Sequence, residues 1–254
     1  MGNVQLKNLY VNGCSWTDGD TLDLAGLTDK GVGKKVSYPN LVAEYFNYNL
    51  FDDSKMGGSI NRIIRMCWEY IFHKNISETI FILEIPNGFR DEIYSNKYGR
   101  YFNLTSGSLH NENDKTENNS DWLDIKKDVV NYFYNFCDFE EFSKKEFINF
   151  FSLISYIKNY TDEIYLIQSD ELQNKIKPYK IYQNLLTDKN IIKLKDISFE
   201  NEYQLIQDMC KHEKLSIGDE LNKGYEDTHP GITGHKKLAE IIIKHLKFNG
   251  RNII

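Results

Sequence analysis

Two residues far apart in the chain, Ser15 and His229, carry side chains that could act together on a carbonyl carbon. In Asn8-Leu9-Tyr10-Val11-Asn12-Gly13-Cys14-Ser15-Trp16-Thr17 a short apolar run stops at a glycine, and the serine stands just beyond it. Such a run predicts the first strand of an α/β sheet, where chemistry gathers in the loops leaving the carboxyl ends of the strands. Gly13 is expected to permit the sharp turn that presents the hydroxyl. A serine is a weak nucleophile until a base takes its proton, and that base needs an anion to fix its tautomer and stabilise its charged form. Glu226-Asp227-Thr228-His229-Pro230-Gly231 offers both, with acids two and three positions before a histidine in a stretch too turn-rich to be helical.

Taken together, GCSWT near the amino terminus and DTHPG near the carboxyl terminus resemble the first and last sequence blocks of the SGNH hydrolases, the GDSL-like esterase and lipase superfamily. Ser54-Lys55-Met56-Gly57-Gly58-Ser59-Ile60-Asn61-Arg62 resembles that family's glycine block after the second strand, which implies an oxyanion N–H from Gly57 or Gly58 beside that of Ser15. The third block, Gly-x-Asn-Asp, is present in degraded form as Glu84-Ile85-Pro86-Asn87-Gly88-Phe89-Arg90, without its glycine and aspartate, and Asn87 is the candidate for its asparagine. The resemblance implies a three-layer α/β/α sandwich with a five-stranded, mostly parallel flavodoxin-like sheet, and no cofactor. The family's D-x-x-H spacing selects Glu226 as the acid that orients His229, since a residue three positions back in a tight loop folds onto the imidazole more readily than one two back. Residue identity and the D-x-H-P form select Asp227 instead. We expect Glu226, with Asp227 bracing the turn through local backbone N–H groups.

Other chemistries fit less well. His229 and His235 lie six apart across a Pro-Gly turn, no H-E-x-x-H is present, and His73, His110, His212 and His245 are scattered, so no metal site is expected. Thr17 stands where the nucleophile elbow G-x-S-x-G needs its second glycine, which disfavours an α/β-hydrolase. No Walker A or G-x-G-x-x-G appears. Cys14 could be a nucleophile, but neighbours in an extended turn point different ways, and Cys14 is expected to pack inward while Ser15 faces the site.

The bulk properties agree with one α/β domain spanning 1–254, interrupted by a polar insertion at about 95–123, since 254 residues suffice for a large core. The net charge of −6 with dispersed lysines argues against a nucleic-acid partner. Four cysteines without a C-x-x-C pair predict reduced thiols. The first residues lack the apolar core of a signal peptide, and no apolar run approaches spanning length, so a soluble, cytoplasmically made protein without a membrane partner is expected.

The elements that must position Ser15 and His229 follow from hydrophobic periodicity. Residues 18–37, rich in Gly, Asp, Thr and Lys, predict a long loop over the sheet. Pro39 suits the first turn of a helix carrying Leu41, Val42, Tyr45 and Phe46, and Tyr48–Phe51 predicts the second strand. From Ser59 a helix runs through Ile63, Cys67 and Ile71, with Asn61, Arg62 and Arg65 as solvated or capping residues. Thr79–Ile85 predicts a strand buried on both faces. Arg90 and Glu92 follow in a loop, where Arg90 could grip a substrate carboxylate or pair with an acid. Helices are expected at 124–136 and 139–160, strands at 163–168 and 191–194, and further helices at 175–186, at 201–211 and from a capping Thr233 to the carboxyl end. This βαβα order predicts a parallel sheet between helical layers.

The expected function is a serine esterase with Ser15 as nucleophile and His229 as base. The resemblance to GCS-type members implies O-deacetylation of a carbohydrate or polysaccharide, with an acylated small molecule or polysaccharide as partner. The low-GC composition and the frequency of GCS-type proteins in phages suggest such an origin and a place in a virion. The alternative is a catalytically silent SGNH-fold binding or structural protein, as in a viral particle.

Overall fold

The computed structural model describes residues 6–86, 90–105, 120–136, 139–167, 185, 188–192 and 229–248. In chain order these form β1 (Asn8–Asn12), α1 (Asp20–Ala25), α2 (Gly33–Val36), α3 (Tyr38–Phe46), β2 (Asn49–Asp52), α4 (Ile60–His73), β3 (Thr79–Glu84), β4 (Arg90–Ser95), β5 (Arg100–Thr105), α5 (Ser120–Phe136), α6 (Phe139–Lys158), β6 (Ile164–Ile167), a 3-10 turn (Asp188–Asn190) and α7 (Ile232–Phe248).

β1 lies inside a parallel sheet of order β2-β1-β3-β6. Its register sets Leu9 beside Leu50 and Ile80, and Val11 beside Asp52 and Ile82. Because successive strand side chains face opposite ways, each strand feeds two cores. Tyr10, Phe81, Leu83, Ile164 and Leu166 pack on one side with Ile63, Cys67, Phe150, Phe151 and Ile154 from α4 and α6. Leu9, Val11, Ile80, Ile82, Tyr165 and Ile167 pack on the other with Val42, Leu238, Ile242 and Leu246 from α3 and α7. The result is a helix–sheet–helix sandwich whose strands carry continuous apolar runs. Each fully buried Leu or Ile in it contributes about 1.5–3 kcal/mol of transfer free energy.

The strand count and two of the expected loops are corrected. The sheet has four strands among the described residues rather than five, and the expected strand at 191–194 contributes a single parallel bridge, Leu166 with Ile191. There the side chain of buried Asn190 donates to the carbonyl of Ile164 at 2.9 Å, occupying an acceptor that a longer ladder would use. The loop expected over residues 18–37 contains α1 and α2, gathered by Asp23, whose carboxylate accepts from Thr28 Oγ1 at 2.6 Å and from the N–H groups of Gly31 and Gly33 at 2.6 and 2.8 Å. The loop expected to hold Arg90 and Glu92 is instead β4, paired antiparallel with β5 inside the supposed insertion. Its other face buries Phe102 and Leu104 against Val129 of α5, an alternation masked in the sequence by polar neighbours.

α7 begins at Ile232, so Thr233 lies within its first turn rather than capping it. The helix expected at 201–211 lies outside the described residues, as does that at 175–186 apart from residue 185. Among the described residues no helix is long and apolar enough to cross a membrane.

Candidate active site

β1 ends in Asn12, which is fully buried and whose side chain closes the strand. Its Oδ1 accepts the Gly13 N–H at 2.9 Å, and its Nδ2 donates to Tyr10 OH at 2.9 Å. Beyond it the chain turns at once, since the Cys14 carbonyl accepts both the Thr17 and the Asp18 N–H groups, at 3.1 and 3.0 Å. Ser15 sits at the head of this turn, and its Oγ lies 2.9 Å from His229 Nε2. Trp16 packs its indole beside the imidazole, with ring centroids 5.4 Å apart. The structure thus brings together the two residues singled out at opposite ends of the chain. Glu226, Asp227 and Asn87 lie outside the described residues.

Beneath the turn lies Glu84, the last residue of β3 and the first of the degraded third block. Its buried carboxylate accepts the Cys14 N–H at 3.3 Å and the hydroxyl of Thr17, and Cys14 Sγ lies 3.2 Å from it. Thr17 Oγ1 is also 2.9 Å from the hydroxyl of buried Tyr38. The signal for Glu84 was a carboxylate ending an otherwise apolar strand, at the sheet end where β1 also stops. Cys14 points inward as expected, and burial together with the nearby Glu84 charge pushes its thiol up to about 12. A protonated, enclosed thiol is no competitor for Ser15.

Gly13 is glycine for a different reason from the one expected. Its φ lies outside the left-handed region, but an added Cβ would overlap Thr17 Oγ1 and come within 2.7 Å of Glu84 Oε2. The residue is small so that the carboxylate can approach the turn.

The glycine block stands against this turn. Lys55 N–H donates to the Gly13 carbonyl at 3.2 Å, and Met56 N–H donates to the buried Asp18 carboxylate at 3.0 Å. Gly58 N–H donates to Lys55 O at 2.8 Å, which removes it as an oxyanion donor. Its own smallness is needed because a Cβ there would lie 2.7 Å from the Gly13 carbonyl. The neighbouring N–H groups of the turn after β1 are also claimed, with Gly13 bonded to Asn12 and Cys14 to Glu84. The N–H groups of Ser15 and Gly57 have no acceptor among the described residues.

The polar residues of α4, expected to be solvated, tie the site together instead. Arg62 Nη1 donates to the Asp53 carbonyl at 2.5 Å and to Asn12 Oδ1 at 3.4 Å. Arg65 pairs with both oxygens of Glu92 on β4, at 2.8 and 3.0 Å, and Asn61 donates to Asp91 at 2.8 Å. Arg90, half-buried at the start of β4, is near enough to Cys14 for its charge to favour the thiolate. His235, one turn into α7, accepts the Tyr38 N–H through Nδ1 at 3.3 Å and is fully buried. Burial, with the charge of His229 adding to it, pushes His235 down to about 3, so it stays neutral and serves the packing of α7 on α3. Among the described residues no group of three or more His, Cys, Asp or Glu could hold a metal ion.

The fold is a parallel sheet between two helical layers, with Ser15 just beyond the first strand and His229 just before α7. The structure matches that of a psychrotrophic esterase, EstA, from Pseudoalteromonas sp., with a TM-score of 0.50 at 8% identity over 96% of this chain and 100% of that one. It is also similar to a member of the lipolytic protein G-D-S-L family from Veillonella parvula DSM 2008 (TM-score 0.47, 12% identity, 93% and 96% of the two chains). A third similar structure is Axe2, an acetylxylan esterase from Geobacillus stearothermophilus (TM-score 0.46, 13% identity, 98% and 96%). No protein-family model matches the chain, and no curated protein matches it.

Proposed function

We propose that the chain is a serine esterase. The observation that carries this reading is the 2.9 Å contact between Ser15 Oγ and His229 Nε2, made at a turn where the Ser15 and Gly57 N–H groups have no acceptor among the described residues. His229 takes the proton of Ser15 as Oγ attacks the ester carbonyl, and returns it to the departing alcohol as the tetrahedral intermediate collapses to an acyl-enzyme. Water, deprotonated by the same imidazole, then releases the acid. The negative oxygen of each intermediate is held by the N–H groups of Ser15 and Gly57, with Asn87 as a third donor. Glu226 orients His229 and stabilises its imidazolium.

For the substrate we favour an O-acetylated carbohydrate. The GCS-type first block supports it, as do half-exposed Tyr94 and Tyr101, whose rings meet edge to face 5.0 Å apart on the hairpin beside the glycine turn and could stack on a sugar. Arg90 would then contact the bound chain.

The test is turnover of p-nitrophenyl acetate and of acetylated oligosaccharides, together with labelling by a fluorophosphonate. We expect both to disappear in Ser15→Ala and to fall by at least three orders of magnitude in His229→Ala, given the roughly 10⁴–10⁶-fold reach of such triads. A wild type that folds yet neither labels nor turns over would leave a binding protein on a hydrolase fold.

A further inference from the structure

We propose that Asn103, on the hairpin, is a positioning residue that holds the Met56–Gly57 peptide in the orientation that aims the Gly57 N–H at the oxyanion. The inference rests on the assignment of Gly57 as oxyanion donor made above. Lys55–Gly58 is a β-turn closed by Gly58 N–H to Lys55 O at 2.8 Å. Gly57, in its third place, has φ +74°, and Met56 before it does not have positive φ. That combination defines a type II turn, which differs from type I chiefly in a half-rotation of its central peptide. Here the central peptide is Met56–Gly57, whose carbonyl and N–H point in opposite directions because the unit is planar and trans. Whatever fixes the Met56 carbonyl therefore aims the Gly57 N–H.

Asn103 Nδ2 donates to that carbonyl at 3.3 Å. Asn103 pairs in register with Glu92, and Glu92 is held by the two bonds from Arg65. The same guanidinium lies 4.1 Å from the centre of the Tyr101 ring. Asn103 thus reaches the turn from a strand pair anchored on α4, while Lys55 and Met56 hold the turn to the nucleophile loop through their N–H groups. Those N–H bonds leave the central peptide able to rotate, and Asn103 opposes the rotation.

The experiment compares wild type with Asn103→Ala and Asn103→Asp, the latter keeping the shape while offering the carbonyl no donor. The Gly57 HN–Hα couplings, read by NMR, report its φ, and kcat and KM are measured on p-nitrophenyl acetate. The expected result is Gly57 couplings moving toward the negative-φ values of a type I turn in both variants, with kcat down about 10-fold or more and KM within about twofold. Complete loss of one oxyanion donor would cost about 10²–10³-fold. Unchanged couplings overturn the proposal, whether or not kcat falls, and so does a loss confined to KM. If the wild type proves inactive toward esters, the esterase reading fails separately, and the Gly57 couplings alone decide whether Asn103 sets the turn.

Discussion

Replacing Gly13 by alanine tests whether the close approach of Glu84 to the nucleophile turn governs both stability and catalysis. The backbone at Gly13 is open to any residue, so the effect comes from space alone. The new Cβ would overlap Thr17 Oγ1 and stand 2.7 Å from Glu84 Oε2 and 2.9 Å from Glu84 Cβ. Ordinary carbon contacts need about 3.5–4.0 Å, so something must retreat by roughly 0.5–1 Å. Glu84 Cβ cannot, because β3 is paired on both sides, with β1 and with β6. The displacement therefore falls on the turn that carries Ser15. Overpacking of this kind costs about 1–3 kcal/mol, and weakening the bonds from Cys14 and Thr17 to a charged acceptor adds about 1.5–3 kcal/mol. At roughly 2–4 °C per kcal/mol for a chain of this size, Tm should fall by about 10 °C. A shift of ~1 Å in the nucleophile should lower kcat about 100-fold. The assay is thermal melting by circular dichroism alongside turnover of p-nitrophenyl acetate, repeated in a Thr17→Ala background. Removing the overlapped hydroxyl should reduce the cost of Gly13→Ala by about 1 kcal/mol, a coupling expected only of residues in contact. Wild-type kcat and Tm in Gly13→Ala would refute the reasoning.

Two further outcomes are expected. On the D-x-x-H spacing, Glu226→Gln should lower esterase kcat by about 10²–10⁴-fold while Asp227→Asn stays within about tenfold, and the reverse ranking assigns the orienting role to Asp227. On α6, Glu146 is buried, its Oε1 has no partner among the described residues, and burial together with the charge of Asp91 raises it from 4.5 to about 8. An acid raised on folding is bound more tightly to its proton in the native state, so its contribution is full below 4.5 and is lost as pH rises through about 8. Glu146→Gln should therefore be more stable than wild type by up to roughly 5 kcal/mol at pH 9, at 1.36 kcal/mol per tenfold difference in proton affinity, and no more stable at pH 4. Urea melts across that range check it, and parallel profiles would show that the native carboxylate ionises without penalty.

What the amino-acid order determined by itself is local. The apolar run ending at Gly13, the uninterrupted Thr79–Glu84 strand and the three- and four-residue spacing of α4 each declare an element within a few residues, because strand and helix periodicities are properties of the neighbouring backbone. Ser15 and His229 could be singled out because a hydroxyl after a strand end and an imidazole among acids carry recognisable chemistry. The tertiary structure alone decided which groups meet. Ser15 and His229 are separated by 214 positions and Cys14 and Glu84 by 70, and neither contact has any trace in local periodicity. The hairpin of β4 and β5 is not legible in the sequence because its apolar face is completed by α5, and the polar residues between Ile93, Phe102 and Leu104 outweigh them locally. The same holds for the backbone donors. Gly57 and Gly58 are identical in the sequence, and only the closing of the turn, which consumes one N–H and leaves the other, tells them apart, because a hydrogen bond is a property of two partners brought together by the fold.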